Sequence, residues 1–293
     1  MRRLLIVGCG DVGTRLLPRL AERCRLYVLT RSDERLHALR ACGATPIVGD
    51  LDRGDTLARL TGLANDVLHL APPPGNGDTD ARTANLIRAL GKGGSLPQRF
   101  VYLSTSGVYG DCAGALVREH APLRPQSDRA RRRVDAERRL RAWGRRSGVR
   151  VSILRVPGIY AADRLPLQRL RASSAALRAE EDVYTNHIHA DDLAAIVLDT
   201  LARGRSQRAY NASDASAMKL GEYLDLVARA FGLPPPPRVS LQEAARTLSP
   251  VQLSFLRESR RLDNARLLRE LRTRLRYPSV REGLEAARVA APA

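Results

Sequence analysis

The 293-residue sequence predicts an α/β fold, in which a doubly wound parallel sheet carries a small, mostly helical C-terminal lobe. Three observations predict it. Short apolar segments alternate with helical segments through the first half, as in parallel sheets that are covered on both faces. A glycine triplet joins the first strand to the first helix. The second half is less regular and contains a proline run at 234–237, which is typical of a stiff, extended linker.

We expect six strands separated by five helices in the first half. The strands cover residues 4–7, 26–30, 45–48, 67–70, 100–104 and 151–156. The helices cover residues 15–23, 33–41, 55–63, 80–90 and 129–147. Helical patterns then cover residues 166–182, 220–231 and the basic segment 257–274, and a turn leads into a helix within 186–201. Ligands of such sheets bind beyond the carboxyl ends of the strands, so the residues that follow each strand are the informative ones.

The glycine triplet is Gly8-x-Gly10-x-x-Gly13, which follows the first strand directly. In a dinucleotide site the first glycine permits a tight turn, the second lets the backbone approach a pyrophosphate, and the third lets helix and strand pack closely. The phosphates bind free N–H groups at the helix N-terminus, here around Asp11 and Val12. The motif in this position predicts a Rossmann-type domain that binds NAD or NADP.

The chain is long enough for one large α/β domain with a smaller lobe. We predict that residues 1–165 form the dinucleotide-binding domain and that residues 183–212 return to it. Residues 166–182 and 213–293 then form the substrate lobe.

The residues after the second and third strands predict the adenosine end of the site. Enzymes that prefer NAD usually place an acidic residue after the second strand, whereas this chain has Arg31 and Ser32, which suit the 2′-phosphate of NADP. We therefore predict NADP in preference to NAD; the alternative is a solvated arginine in an arginine-rich protein. After the third strand, Asp50 is placed to accept from the adenine amino group, with Leu51 against the ring. Asp50 is equally suited to a helix cap or a turn.

The fourth and fifth strands end at the middle of the predicted site. Leu70, Ala71 and Pro72 are small or apolar residues that suit the wall of a dinucleotide channel. Ser104 and Thr105 begin a run of hydroxyl side chains, which suits a carbonyl or hydroxyl substrate. Such hydroxyls also cap loop N–H groups, which would account for one or two of them.

The composition of the chain limits the kinds of binding partner that we expect. The net charge of +18 favours an anionic partner, but only two of the 49 basic residues are lysines, which indicates a coding bias rather than selection for phosphate contacts. An aromatic content of 4% is low for stacking on single strands, so nucleic-acid binding is disfavoured.

No apolar run approaches the ~20 residues that span a bilayer, and we expect a cytoplasmic protein without membrane contact. Four scattered cysteines favour neither a disulfide framework nor a metal site.

Several motifs are similar to those of extended short-chain dehydrogenases/reductases, the NAD-dependent epimerase/dehydratase family. They are the glycine loop and residues 49–51, 104–110, 125–127, 155–160 and 187–192. The resemblance implies hydride transfer between a nicotinamide and an oxygen-bearing carbon. Thr105 stands at the family's Ser/Thr position and would orient the substrate oxygen, and Pro157 would lie along the cofactor. It also implies a homodimer through helices 80–90 and 129–147.

The chain departs from this family at the catalytic Tyr-x-x-x-Lys pair, whose positions are occupied by Arg129 and Arg133. Arginine has a pKa above 12 and cannot lend a proton near neutral pH. The other candidates for the acid are then Tyr109, Tyr160, His187 and His189, and we predict Tyr109 or a bound water.

Helical spacing places both arginines on an inward stripe. The stripe continues through Ala136, Leu140 and Trp143, while Arg131, Arg132, Arg138 and Arg139 point elsewhere. We expect Arg129 and Arg133 to bind cofactor phosphate, ribose or an anionic substrate group, with Glu137 able to pair with Arg133. The alternative is a solvated, charged turn.

These departures resemble the YeeZ-like branch of bacterial proteins, which keeps the cofactor motifs and lacks the usual active-site residues. We therefore predict an NAD(P)-dependent oxidoreductase or epimerase/dehydratase that acts on an oxygenated small molecule, anionic or nucleotide-sugar-like. The alternative is a cofactor-bound redox sensor or scaffold without turnover, and nucleic-acid binding is a remote third.

Overall fold

The computed structural model describes residues 1–248 and 250–290. Its fifteen described strands are β1 (Arg3–Val7), β2 (Arg25–Thr30), β3 (Ala44–Val48), β4 (Asp66–His69), β5 (Arg99–Thr105), β6 (Leu116–Val117), β7 (Arg150–Val156), β8 (Gly158–Tyr160), β9 (Ala176–Leu177), β10 (Tyr184–Thr185), β11 (His187–His189), β12 (Arg208–Asn211), β13 (Met218–Lys219), β14 (Arg238–Val239) and β15 (Arg261–Leu262).

The eleven described α-helices are α1 (Asp11–Leu20), α2 (Arg35–Ala41), α3 (Ala81–Gly91), α4 (Asp128–Ser147), α5 (Leu167–Arg171), α6 (Ala190–Arg203), α7 (Leu220–Ala230), α8 (Leu241–Thr247), α9 (Pro250–Phe255), α10 (Ala265–Leu271) and α11 (Val280–Ala290). Short 3-10 helices cover Gly54–Leu60, Ser106–Tyr109 and Ala162–Arg164. Among the described residues, no helix combines the length and apolar character needed to cross a bilayer.

Seven strands form one parallel sheet in the order β12-β7-β5-β4-β1-β2-β3, which confirms the predicted fold class. The chain builds outward from β1 to β3 and then resumes at β4, on the other side of β1. This reversal of strand order opens a crevice beyond the carboxyl ends of β1 and β4, the usual ligand position in such sheets.

Alternating residues of each central strand enter two cores. In β1, Leu4 and Ile6 face the layer of α1, α6 and α10, whereas Leu5 and Val7 face the layer of α3 and α4. Burial on both faces explains why these strands read as continuous apolar runs. The sheet is therefore a rigid platform for the loops at its carboxyl edge.

A third core belongs to the C-terminal side of the chain. Tyr160 packs there with Leu170 of α5, Leu224 and Val227 of α7, and Leu284 of α11. The proposed domain limits stay predictions, and residues 249 and 291–293 of the predicted lobe lie outside the described residues.

Three predicted helices are wrong in extent. The helix expected at 55–63 is instead the 3-10 helix Gly54–Leu60, followed by a turn. Within 166–182 only α5 is helical, because Ser173 adopts φ +48° and the chain then forms β9, which pairs with β14 just after the proline run. Within 257–274 only α10 is helical, because the backbone of Ser259 bonds to Cys112 and Gly114, and β15 pairs with β6.

The sheet contains one strand that the sequence did not predict. β12 is four residues long and ends at the polar Asn211, so it lacks the apolar run that marks the other strands. Asn211 is fully buried and donates to the backbone carbonyl oxygens of Val117 and Asp263, which explains a polar residue at this position.

Candidate functional site

The three glycines of the loop between β1 and α1 have different steric surroundings. Gly8 has φ +90°, and a Cβ there would lie 2.4 Å from the backbone nitrogen of Ala71. A Cβ on Gly13 would lie 3.2 Å from Sγ of Cys9. A Cβ on Gly10, by contrast, would meet no atom of the described chain within 4 Å. The fold itself requires Gly8, a Cβ at Gly13 would have to displace its neighbours by a few tenths of an ångström, and Gly10 leaves room for a ligand.

The N-terminus of α1 receives no cap from a described side chain. Two long helices of the same domain are capped: Oγ of Ser127 accepts from the backbone N–H of Ala130 in α4, and Nδ1 of His189 accepts from the N–H of Asp191 in α6. The first N–H groups of a helix lack intrahelical partners and carry the positive end of its dipole. Beside the open space at Gly10, these uncapped donors fit a pyrophosphate.

A cavity of about 810 Å³ runs from this helix terminus along the carboxyl edge of the sheet. This volume is in the range of ~300–1,000 Å³ that is usual for small-molecule sites. The residues that were predicted from sequence and line it are Gly8, Gly10, Asp11, Val12, Gly13, Arg31, Asp50, Leu51, Leu70, Ala71, Pro72, Ser104, Thr105, Arg129, Arg133 and Pro157. The fold thus brings them to one cavity, while their individual roles stay predictions.

Two predicted site residues lie outside the described lining of this cavity. The backbone N–H of Ser32 donates to Oγ1 of Thr30 at 3.2 Å, within the turn after β2. Tyr109 is only 1% exposed, and its hydroxyl donates to Oδ1 of Asn211 at 2.7 Å and accepts from Nη1 of Arg155 at 2.8 Å. Burial raises the pKa of Tyr109 to about 12. Tyr109 is thus buried away from the cavity with its hydroxyl engaged inside the fold, and its role as the acid stays a prediction.

The adenosine end of the cavity is positively charged. Arg31 and Arg35 both line it, and neither has a carboxylate within ion-pair distance in the described parts of the chain. Asp50 also lines it, but its Oδ1 accepts from the backbone N–H of Asp52 at 2.9 Å, as in a turn. The two unpaired guanidinium groups fit a phosphate better than a neutral ribose hydroxyl.

Arg133 reaches from α4 to the carboxyl ends of β4 and β5. Its Nη1 donates to the carbonyl of Leu103 at 2.7 Å, to the hydroxyl of Tyr102 at 2.9 Å and to the carbonyl of Ala71 at 3.3 Å. These contacts confirm the inward orientation that was predicted for Arg133. Within residues 1–248 and 250–290, no carboxylate lies within ion-pair distance of the Arg133 guanidinium, which lines the cavity. Its positive charge therefore stays available at the cavity wall.

Arg129 lies one helical turn earlier and is exposed at the cavity. Its guanidinium carbon lies 5.0 Å from the ring centroid of Phe255, which is 50% exposed. The facing wall carries Glu258, whose Oε2 lies 2.8 Å from Nη1 of Arg260. This end of the cavity therefore has more cationic than anionic side chains, together with one exposed aromatic ring.

Two details of the predicted α4 stripe are wrong. Glu137 does not pair with Arg133; its carboxylate accepts from Nη2 of Arg155 at 2.8 Å and from Oγ of Ser104 at 2.6 Å. Arg133 extends to the strand ends instead, which leaves Glu137 to neutralise the buried Arg155 of β7. Arg132 was expected to point away, yet it is 6% exposed and donates to a loop carbonyl.

Residues 8–203, which include the whole glycine loop, match the NAD(P)H-binding family. The chain belongs to the NAD(P)H-binding family. The cavity beside the glycine loop is thus part of an NAD(P)-binding domain, as the sequence motif predicted.

Structures of other proteins are similar to this NAD(P)H-binding protein over almost its whole length. A conserved protein of unknown function from Silicibacter pomeroyi has 29% identity and a TM-score of 0.81, over 99% of both chains. dTDP-glucose 4,6-dehydratase from Bacillus anthracis, in complex with NAD, has 15% identity and a TM-score of 0.77, over 99% of this chain and 96% of that chain. UDP-glucuronic acid 4-epimerase from Bacillus cereus, in complex with NAD, has 16% identity and a TM-score of 0.77, over 98% and 96%. At these identities the two enzymes show the shared fold alone. A comparison with curated protein sequences gave no match.

Several cavity residues of this NAD(P)H-binding protein were missed from sequence. They are Arg35, Arg82, Arg164, Arg169, Tyr184, Phe255 and Glu258. Arg35 was detectable, since it follows Arg31 by four residues and adds a second charge at the same end. The others come from segments distant in sequence, and no local pattern relates them to the glycine loop.

Proposed function

We propose that this protein is an NAD(P)-dependent oxidoreductase or epimerase/dehydratase that acts on an oxygenated, anionic small molecule and prefers NADP. The observation that carries the proposal is the continuity of one cavity. It joins the uncapped N-terminus of α1 to the hydroxyl groups of Thr105 and Ser106 and to the guanidinium of Arg133. The dinucleotide and an oxygen-bearing anion would therefore bind in the same cavity.

The cofactor-binding roles follow from the donor set. The N–H groups at 11–13 would hold the pyrophosphate, with Gly10 leaving space for it. Arg31 and Arg35 would hold the 2′-phosphate of NADP, which supports NADP over NAD. Leu51 would pack on the adenine, and Pro157 would line the nicotinamide half.

Bound NAD(P) supplies hydride transfer to or from a carbon that bears oxygen. Thr105 lines the cavity, and its Oγ1 accepts from the N–H of Gly107 at 3.3 Å, so its hydroxyl proton is available to a substrate oxygen. Arg129 would bind the substrate's anionic group and Arg133 the ribose or the same anion, because arginine presents a fork of donors that matches carboxylate and phosphate.

The pair Arg129 and Arg133 supports assignment to the atypical, YeeZ-like branch. A second candidate function is a cofactor-bound redox sensor without turnover. One observation favours it: the hydroxyls of Tyr109 and Tyr160 are both used inside the fold, Tyr160 donating to the carbonyl of Ser279 at 3.2 Å. Neither tyrosine is then available as the proton donor.

The proposed homodimer through α3 and α4 would bring like charges together. Arg138, Arg145 and Arg146 are exposed on α4, so a symmetric interface there would depend on screening by salt. Light scattering at low and high ionic strength tests it, since self-association through this face should increase with salt.

Turnover is tested by absorbance at the nicotinamide band. NADPH is mixed with a panel of carbonyl compounds that carry a carboxylate or phosphate, and with neutral counterparts of the same size. The proposal expects NADPH oxidation with members of the anionic set and little with the neutral set. Unchanged absorbance with every compound, despite tight NADPH binding, would favour the sensor.

A further inference from the structure

An ion pair crosses the phosphate end of the cavity. Nη1 of Arg164 lies 2.6 Å from Oδ2 of Asp11, and both residues line the cavity although 153 positions separate them. Asp11 is the first residue of α1, so the guanidinium of Arg164 lies beside the N–H groups that fit a pyrophosphate. Arg164 ends the 3-10 helix that follows β8, on the side of the cavity that leads to the lobe.

Asp11 has two ion-pair partners, Arg164 and Arg15. Nε of Arg15 donates to Oδ1 of Asp11 at 2.9 Å, and Nη1 of Arg15 donates to Asp191 at 2.7 Å. Burial acts to raise the pKa of Asp11, but the hydrogen bonds from Arg164 and Arg15 outweigh it and hold that pKa below its usual value. In the described parts of the chain, Asp11 is the one carboxylate within ion-pair distance of Arg164. Asp11 therefore stays paired if Arg164 moves to another anion.

A bound pyrophosphate would place a second anion next to the carboxylate of Asp11. That carboxylate would repel it, whereas the guanidinium of Arg164 would attract it and match its oxygens with two donors. The Arg164 and Asp11 side chains are 39% and 31% exposed, so no buried contact has to break for Arg164 to change partner.

We propose that Arg164 binds the pyrophosphate of the dinucleotide and that Asp11, its partner in the free protein, competes with the pyrophosphate for it. This inference rests on the proposed function. It assigns opposite effects to the two partners of one ion pair: the guanidinium of Arg164 strengthens dinucleotide binding, and the carboxylate of Asp11 weakens it.

Isothermal titration calorimetry with NADPH and NADH tests the inference. Arg164→Gln is expected to raise Kd for both dinucleotides by about tenfold, because the variant loses a charge-assisted hydrogen bond to the pyrophosphate. Asp11→Asn is expected to lower both Kd values by about threefold, since it removes a partly exposed competing charge. The matched control is Arg238→Gln: Arg238 pairs with Asp225, the side chains are 35% and 34% exposed, and the pair lies outside the described cavity lining. Its Kd values should equal those of the wild type.

The outcomes are separable. If both variants weaken binding, the ion pair only supports the loop, and the inference is overturned; the same holds if Arg164→Gln binds like the wild type. Melting temperatures report folding, and should Arg164→Gln not fold, Arg164→Lys replaces it. That variant keeps the charge and loses the fork, so we expect an intermediate Kd, and an unchanged Kd overturns the inference. A wild type that binds neither dinucleotide overturns the proposed function instead, and this inference with it.

Discussion

The two ends of the cavity are built from different parts of the chain. The phosphate end, at the N-terminus of α1, is built mainly from backbone: an uncapped helix terminus, Gly10 with open space beside it, and Gly8 against Ala71, with the Arg164–Asp11 ion pair as its side-chain part. The substrate end consists of side chains, with Arg133 on the strand ends and Arg129 facing Phe255. Backbone donors recognise a group that all NAD(P) molecules share. Side chains can be replaced one at a time, so this end of the cavity can differ between proteins that share the backbone site.

The comparison predicts the largest effects at the glycines, and it predicts different effects for two of them. Gly8→Ala forces a Cβ to 2.4 Å from the nitrogen of Ala71 at φ +90°, so we expect a loss of about 2–5 kcal/mol in unfolding free energy. Gly10→Ala meets no described atom within 4 Å, so the fold should keep its stability while Kd for NADPH rises at least about tenfold. Thermal unfolding and calorimetry measure the two quantities.

The two substitutions are matched controls for each other, because each adds one methyl group to the same loop. Equal losses of stability in both variants would contradict the division into a structural glycine and a ligand-facing glycine.

The next effect is on the pH dependence of stability, at Asp214, a buried carboxyl group outside the described lining of the cavity. The N–H of Asp214 donates to the carbonyl of His187, and burial, with the charges of Asp192 and Glu282, raises the pKa of Asp214 to about 7. The folded state thus binds this proton more tightly than the unfolded state. Its contribution to stability is present at low pH and is lost as pH rises toward about 7, with a slope of at most ~1.4 kcal/mol per pH unit.

The pH dependence of stability that Asp11 contributes has the opposite sign. Because the pKa of Asp11 is lowered in the folded state, its contribution to stability is lost as the pH falls. Asp214→Asn should remove the decline toward neutral pH, as measured by urea unfolding at pH 5 and pH 8. A variant whose stability falls with pH as steeply as that of the wild type would refute this assignment.

Arg133 is expected to have a smaller effect on stability. Arg133→Met leaves the carbonyl of Leu103 and the hydroxyl of Tyr102 without their donor, which costs about 1.5–3 kcal/mol. Arg138→Met, an exposed arginine on the same helix, is the control and should change stability by less than about 0.5 kcal/mol. If both variants unfold at the same temperature, Arg133 does not support the strand ends.

The smallest effect distinguishes the two cofactors. Arg31→Ala should raise Kd for NADPH by about tenfold and leave Kd for NADH nearly unchanged, because only NADPH carries the 2′-phosphate. Fluorescence titration of both cofactors on one preparation provides its own control. Equal effects on the two cofactors would assign Arg31 to another part of the dinucleotide.

The sequence predicted the phosphate end well because its information is local. Gly8, Gly10 and Gly13 lie within six residues, and the strand before them and the helix after them are set by short apolar patterns. The six predicted strands of the sheet appear for the same reason.

The substrate end was predicted less well because its residues meet only through tertiary structure. Tyr109 fits a reactive position in the sequence, but burial beside Arg155 and Asn211 uses its hydroxyl inside the fold. Glu137 had a partner four residues away, yet it pairs with Arg155 on another strand. Phe255 and Glu258 lie more than a hundred residues from α4, so no periodicity relates them to Arg129.

A crystal structure with NADPH bound tests the central claim most directly. We predict the pyrophosphate on the N–H groups at 11–13, the 2′-phosphate between Arg31 and Arg35, and the nicotinamide toward Thr105 and Arg133. A dinucleotide bound in the reverse direction, or outside the cavity, would contradict the account.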